Sequence, residues 1–300
     1  MAHRMHGLSC WFEGDFTNAL RHLEQSLALF DPERDRDLAF RFGQDLGVAA
    51  MNYLALTLWP TGEIARALKL QAAATQRARD TRHLHTIAYA VSYRAVFEAM
   101  RSDARAAEPY AAETLELGRT HDLRLYIGYG AVASGWVRAR LEDREQGLAL
   151  MREGLDSLQR QGFALATPLL YALLAELQAE LGESATALAT LDRTLVEVER
   201  SGHRTFAAEV HRVRGEILLK WEPGDPAAPE AALQTAVAVA REQGARAFAL
   251  RAAISLARLY QSAGRPADAH ALLAPALEGF AETPEMPEIA DAQELIERLA

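Results

Sequence analysis

Seven small residues recur along this 300-residue chain at a near-constant interval: Ala19, Ala67, Ala107, Gly147, Ala187, Ala231 and Ala269, separated by 48, 40, 40, 40, 44 and 38 positions. Each stands five positions into a similar stretch, as in GDFTNALRHLEQSLAL (14–29), SDARAAEPYAAETLEL (102–117) and GRPADAHALLAPALEG (264–279). A second small residue precedes most of them by 12 positions: Gly7, Ala55, Ala95, Gly135, Ala175 and Ala257. A period of this length marks stacked supersecondary units. Small positions on facing helices allow close backbone approach, so each unit reads as an apolar helix, a tight turn and an amphipathic helix. Aromatics make up only 7% of the residues, which favours helix over sheet.

The pattern resembles the tetratricopeptide repeat (TPR), with Gly14, Asp15, Phe16 and Ala19 matching its turn best and Gly264, Ala269 and Ala276 nearly as well. The expected fold is therefore all-α: a right-handed superhelical α-solenoid of about seven TPR-like hairpins. The hairpins fall at roughly 2–30, 46–80, 84–119, 123–161, 164–201, 204–243 and 246–280. PEMPEIADAQELIERLA (284–300) has one polar face and is expected to cap the stack. One domain covers 1–300. A 40-residue unit exceeds the usual 34, adding roughly 9 Å of helix per pair.

FDPERDRDLAFRFGQDLGVAAMNYLALTLWPTGEIARAL (30–68) is similar to a segment of the C-terminal repeat regions of bacterial adenylate/guanylate cyclases and related multidomain signal-transduction (STAND-type) ATPases. HRVRGEILL (211–219), AVAREQGARAFALRAAISLARLY (238–260) and the ending from Thr283 carry the same likeness, with Pro60 replacing an expected apolar residue. The resemblance implies a regulatory repeat region that follows catalytic and nucleotide-binding domains. It does not carry their chemistry here. Lys69 and Lys220 are the only lysines, neither follows a glycine, and no GxxxxGK[ST] loop exists. No cofactor is expected.

A net charge of −9 argues against nucleic acid as partner. No apolar run is long enough to span a bilayer, the N-terminus lacks a secretory pattern, and a cytoplasmic setting is expected. Cys10 is the sole cysteine; with His6 nearby it reads as a buried, inert thiol. His83, His85 and His121 lack carboxylate or thiolate companions, so no metal site is expected. WEPGDPAAPE (221–230), with three prolines, reads as a surface loop without activity.

Two candidate regions remain. First helices of such hairpins line the concave face, which should receive Asn52, Trp59, Tyr89, Ser92, Tyr129, Trp136, Glu176, Arg212 and Glu216. Aromatics followed by mixed charge would suit a protein or peptide segment, or a small effector. Trp59 and Trp136 could equally be ordinary packing between hairpins. Alanine at both Trp136 and Arg212 is expected to abolish ligand binding and leave the fold intact. The second region is an insertion, DPERDRDLAFRFGQDLG (31–47). Asp31-Pro32 ends a helix; Arg36 and Arg41 contribute charge, Phe40 and Phe42 could dock on the solenoid, and Asp45 closes the segment. It reads as a packed loop at the groove mouth or as a solvated linker that sets hairpin pitch. The functional readings are a non-enzymatic interaction or ligand-sensing module, a free-standing adaptor or homodimerising scaffold, and an enzyme using Glu176, Arg212 and Glu216. Oligomeric state is left open.

Overall fold

The computed structural model describes residues 1–163, 167–221 and 224–299. The expected start of the fifth hairpin at 164, residues 222 and 223 of the Pro-rich stretch and the last residue of the cap lie outside them. Among the described residues there are sixteen helices and no strand. They are α1 (Ala2–Glu13), α2 (Phe16–Ala28), α3 (Leu38–Phe42), α4 (Leu46–Leu58), α5 (Ile64–Thr81), α6 (Leu84–Met100), α7 (Ala104–Thr120) and α8 (Arg124–Leu141). There follow α9 (Arg144–Arg160), α10 (Thr167–Glu180), α11 (Ser184–Ser201), α12 (Ala207–Trp221), α13 (Ala227–Glu242), α14 (Arg246–Ser262), α15 (Pro266–Leu277) and α16 (Glu288–Leu299). None of these is long and apolar enough to cross a membrane.

The helices pair into antiparallel hairpins that stack as a TPR-like solenoid, with α16 against the last pair. First helices form the inner layer. All thirteen residues of α4 are buried, and α14 is nearly as enclosed, as their apolar sequences require. Second helices cover them and show water a polar face. Aspartates start several of these: the carboxylates of Asp15, Asp103 and Asp143 accept from the N–H groups of Asn18, Ala106 and Gln146.

Steric demand explains the small-residue period. A Cβ on Gly147 would lie 2.5 Å from the Gly135 carbonyl and the Ala139 nitrogen, so α8 and α9 touch backbone to backbone. Ala231 is exposed and does not occupy the equivalent place. A Cβ on Gly215 would instead meet Leu233 and the carbonyl of buried Pro229, as one on Gly135 meets Met151 and the carbonyl of Gly147. Pro229 is thus the true counterpart, and 229 to 269 is again 40 positions. Proline is tolerated there because it lies in the first turn of α13, where its missing N–H has no intrahelical partner.

The stack closes on itself. The turn edge of the first three hairpins meets connections near the C-terminus, in order. Arg204 N–H donates to the Phe12 carbonyl at 2.7 Å, and the Thr205 hydroxyl donates to that of Trp11 at 2.5 Å. Ala247 N–H donates to the Pro60 carbonyl at 2.8 Å. Arg101 pairs with Glu285, and Arg251 donates to the Met100 carbonyl at 2.8 Å. Between these bonds Phe206 packs on Trp11, and Phe248 packs on Phe16 and Trp59. Gly14, at φ +78°, admits the Gln243 side chain where a Cβ would come within 2.3 Å of its amide nitrogen.

Phe248 is fully buried in this seam while Phe40 is 74% exposed. Phe248→Ala should lower unfolding stability in urea by about 3–5 kcal/mol. Phe40→Ala should stay within about 0.5 kcal/mol.

Candidate functional site

Closure converts the concave face into an interior with two chemically distinct halves. On the N-terminal side it is aromatic. Tyr53 and Tyr93, 40 positions apart, bring their hydroxyls within 2.7 Å, one donating to the other. Tyr89 lies against Tyr93 with ring centroids 4.3 Å apart, and Trp11 packs edge-on to Tyr53 at 5.0 Å. Trp11, Leu56, Ser92, Tyr93, Val96, Tyr129 and Phe206 line a cavity of about 10 Å³, room for about one water. Burial pushes the Tyr53 and Tyr126 hydroxyls up to about 12 and raises those of Tyr89, Tyr93 and Tyr129. At neutral pH all five keep their protons and can donate.

Arg4 stands on α1 two turns before Trp11, on the same face, and is only 8% exposed. Its charge eases ionisation of Tyr53 and Tyr89, against the larger effect of their burial. Among the described residues its Nε has no hydrogen-bond partner and no carboxylate pairs with it.

On the C-terminal side the interior is a ladder of ion pairs across α8, α10, α12, α14 and α16. Arg140 reaches Glu180 at 2.5 Å and Glu176 at 3.1 Å. Arg212 reaches Glu176 at 3.3 Å, Glu209 at 3.1 Å and Glu216 at 2.8 Å. Arg251 continues to Glu209 at 3.4 Å and Glu288 at 2.6 Å, and stacks over Trp59 at 4.6 Å. Burial raises the Glu176 carboxyl against the pull of Arg212 and Arg140. Burial opposes ionisation of Glu216 too, but Arg212 and the Ser255 hydroxyl outweigh it, so that carboxyl sits below its ordinary value. For Arg212 the three glutamates outweigh desolvation and raise its pKa well above the usual value. A raised Glu176 would suit a general acid, but Arg140 and Arg212 each engage one of its oxygens.

The expected groove residues therefore divide. Ser92 and Tyr129 line the cavity and Tyr89 flanks it. Glu176, Arg212 and Glu216 form the ladder. Asn52, Trp59 and Trp136 are core, at 2% exposure or less, rather than an open wall. For Trp59 the reason is closure, since Phe248 and Arg251 cover it, while Asn52 is fully buried with its amide unpartnered among the described residues. Alanine at Trp136 and Arg212 would consequently damage the fold itself. The insertion runs along the opposite edge from the seam. Asp31 turns its own loop by accepting from Glu33 and Arg34 N–H groups just after Pro32, and Arg36 and Arg41 are solvated. Phe40 only edges onto His83, and Phe42 is 47% exposed, so neither docks into the interior. Asp45 is structural: it caps α4, takes both arms of Arg77 at 2.8 and 3.0 Å, and is 1% exposed. His83 caps α6, and Cys10 is buried with its thiol raised by desolvation. Sequence reasoning passed over Arg4, Trp11, Tyr53, Tyr93 and Phe206. The 40-residue spacing of the two tyrosines was the available signal.

No family model matches the sequence. An uncharacterized protein of Rhizobium meliloti (strain 1021) is 29% identical over 248 residues, 81% of this chain. The chain spans about a quarter of that protein's length, 24%. Among solved structures, the apo form of RapI superposes with a TM-score of 0.55 at 11% identity, over 99% of this chain and 98% of RapI. That likeness is one of fold. The TPR2AB domain of yeast Sti1 in its pHSP90 complex overlays loosely, with a TM-score of 0.35 at 13% identity over 99% and 97% of the two chains.

Arg212→Met leaves three glutamates facing one another and should cost about 3–5 kcal/mol in denaturant unfolding. The acid limb is separately testable. The lowered carboxyl of Glu216 contributes stability present above the ordinary value of 4.5 and lost as pH falls through its folded-state value. Melting temperature should therefore fall less steeply below pH 4.5 in Glu216→Gln than in the wild type. Glu176 has the opposite sign, because a raised carboxyl gains stability as pH falls towards 4.5.

Proposed function

We infer that this chain is a non-enzymatic interaction or ligand-sensing module, comparable to the regulatory repeat region of bacterial cyclase and ATPase signalling proteins, working in the cytoplasm. The observation that carries this reading is the seam. Three sets of contacts, formed between turns and connections far apart in the sequence, decide whether the interior is shut. A peptide segment or small effector inside would favour one curvature of the stack. A tenfold preference for that curvature shifts the balance by about 1.4 kcal/mol. In a longer protein the change would reach catalytic domains attached to the repeats.

Glu285→Arg sets like charges together at Arg101 and loosens the seam without touching any hairpin. Short unstructured peptides and small anions should be screened by thermal shift against wild type and variant. A binder whose affinity changes about tenfold or more between them, with helicity unchanged, supports the reading. Binders indifferent to the seam would place recognition on the outer surface.

That outer surface carries the second reading, an adaptor or homodimerising scaffold, which the exposed rings of Phe40 and Phe42 favour. Light scattering over a concentration series should then show doubling of mass, removed by Phe40→Ser with Phe42→Ser. A single-chain mass at every concentration excludes the dimer.

A further inference from the structure

One buried cluster in α6 is an anion short. Glu98, wholly buried, pairs with Arg94 at 2.6 Å and also with Arg101. Two guanidinium groups thus share one interior carboxylate, and Arg101 is itself only 6% exposed. A buried charge without a counterion is costly. The balance comes from Glu285, 184 positions away on the connection before α16. Its carboxylate pairs with Arg101 while its side chain stays 48% exposed, and Arg101 donates to its carbonyl at 3.3 Å. The Glu285 side chain bonds to nothing else among the described residues, and Arg101 Nε is enclosed there without a partner. The cluster therefore needs an anion at this point, and the one the chain supplies is half in water and open to exchange.

The same pair borders a cleft of about 390 Å³, within the size range of small-molecule sites. Arg101, Arg105, Arg140 and Ser102 bring donors to its lining, and Leu141 and Pro287 bring apolar surface. Arg140 has its charge met by Glu176 and Glu180. Arg105 is exposed and makes no ion pair among the described residues. It stands in the first turn of α7, where N–H groups lack helical acceptors. The lining also holds two carboxylates, Asp103 and Glu285. Asp103 is committed as the cap of α7, accepting from the Ala106 N–H at 2.9 Å. Once Glu285 leaves, the surplus charge on Arg101 and the charge of Arg105 border one space. Two guanidinium forks of this kind match a phosphate better than a single carboxylate.

Resting on the ligand-sensing reading of the seam, and naming a ligand class for it, we propose that this cleft binds a dianionic phosphate group. The phosphate displaces the Glu285 carboxylate from Arg101, is held by Arg101 and Arg105, and parts the third contact of the seam. Two sources share this chemistry: free phosphate, and a small phosphate monoester whose body lies against Leu141 and Pro287.

The test uses three probes on the whole chain by calorimetry, at a pH above the second phosphate pKa of about 6. They are inorganic phosphate, phenyl phosphate and phenyl sulfate, the last an isostere with a single charge. Phenyl phosphate should bind at least tenfold tighter than phenyl sulfate, and Arg105→Gln, a change on an exposed helix surface, should weaken it tenfold or more. Glu285→Gln carries the opposite sign. It removes the chain's own anion, so it should lower the melting temperature without probe, tighten phosphate binding several-fold and enlarge the probe-induced rise. A Glu285 that only held the cleft in shape would weaken binding when replaced. Phenyl phosphate binding several-fold tighter than inorganic phosphate identifies a monoester; equal affinity identifies free phosphate. No binding of either phosphate, equal affinity for phenyl phosphate and phenyl sulfate, or unchanged affinity in Arg105→Gln overturns the proposal. Seam-sensitive binding of peptides alongside that result would sink the phosphate site and leave the seam reading standing. Phosphate binding that leaves the Ala247 amide as protected from hydrogen exchange as before would do the reverse.

Discussion

Main-chain carbonyls of Phe12 and Pro60, left without helical partners at the turns of the first two hairpins, are satisfied by N–H groups of Arg204 and Ala247 from the far end of the chain. Everything distinctive about this solenoid depends on that exchange. Helix ends leave orphan groups that water ordinarily meets. Here they are met by the connection that leads into α12 and by the first turn of α14, whose own first N–H groups lack helical partners. The match is repeated because both partners are periodic: residue separations across the seam are 192 for 12 to 204, 187 for 60 to 247 and 184 for 101 to 285. One turn of the stack brings edge onto edge, and Phe206 and Phe248 fill what remains.

Closure also accounts for the chemistry of the interior. A solenoid with an open groove can leave charged side chains in water, but a shut one must pair them. The ladder from Glu180 through Arg212 to Glu288 is that pairing, each cation held between carboxylates of neighbouring hairpins. Buried ion pairs of this type add little net stability and are expensive to break singly. They therefore fix the stagger between hairpins. The N-terminal half meets the same problem with tyrosines, whose hydroxyls bond across one period, and with the pairing of Arg94 and Arg101 on Glu98.

Much of the architecture was legible in the sequence because its cause is local. Small residues recur where backbones touch, and Gly147 against Gly135 shows the cost of anything larger. Ala231 was misplaced because the longer connection before α13 shifts the register by two positions, putting Pro229 in the inward place. The seam left no such trace, since it joins segments almost two hundred residues apart through main-chain atoms that any side chain would supply. That omission is why Trp59 reads as a groove residue: it is large and ends an inner helix, and only the closing hairpins decide that it is core. Polar residues fared unevenly. Glu176, Arg212 and Glu216 do share one surface, yet their partners Arg140, Glu209 and Arg251 are needed to see a structural ladder. Arg4 carries no sequence signal beyond its place two turns before Trp11.

Closure is open to direct observation in solution. Spin labels at Glu13 and Glu242, both exposed and on opposite sides of the first seam contact, report the distance across it once the buried Cys10 is replaced by Ala. The account predicts a single short and narrow distance distribution in the protein alone, broadened by Glu285→Arg. A broad distribution centred at long distance in the wild type, unaffected by that substitution, would contradict it: the stack would then be an open solenoid, and the interior described above would not exist as a site.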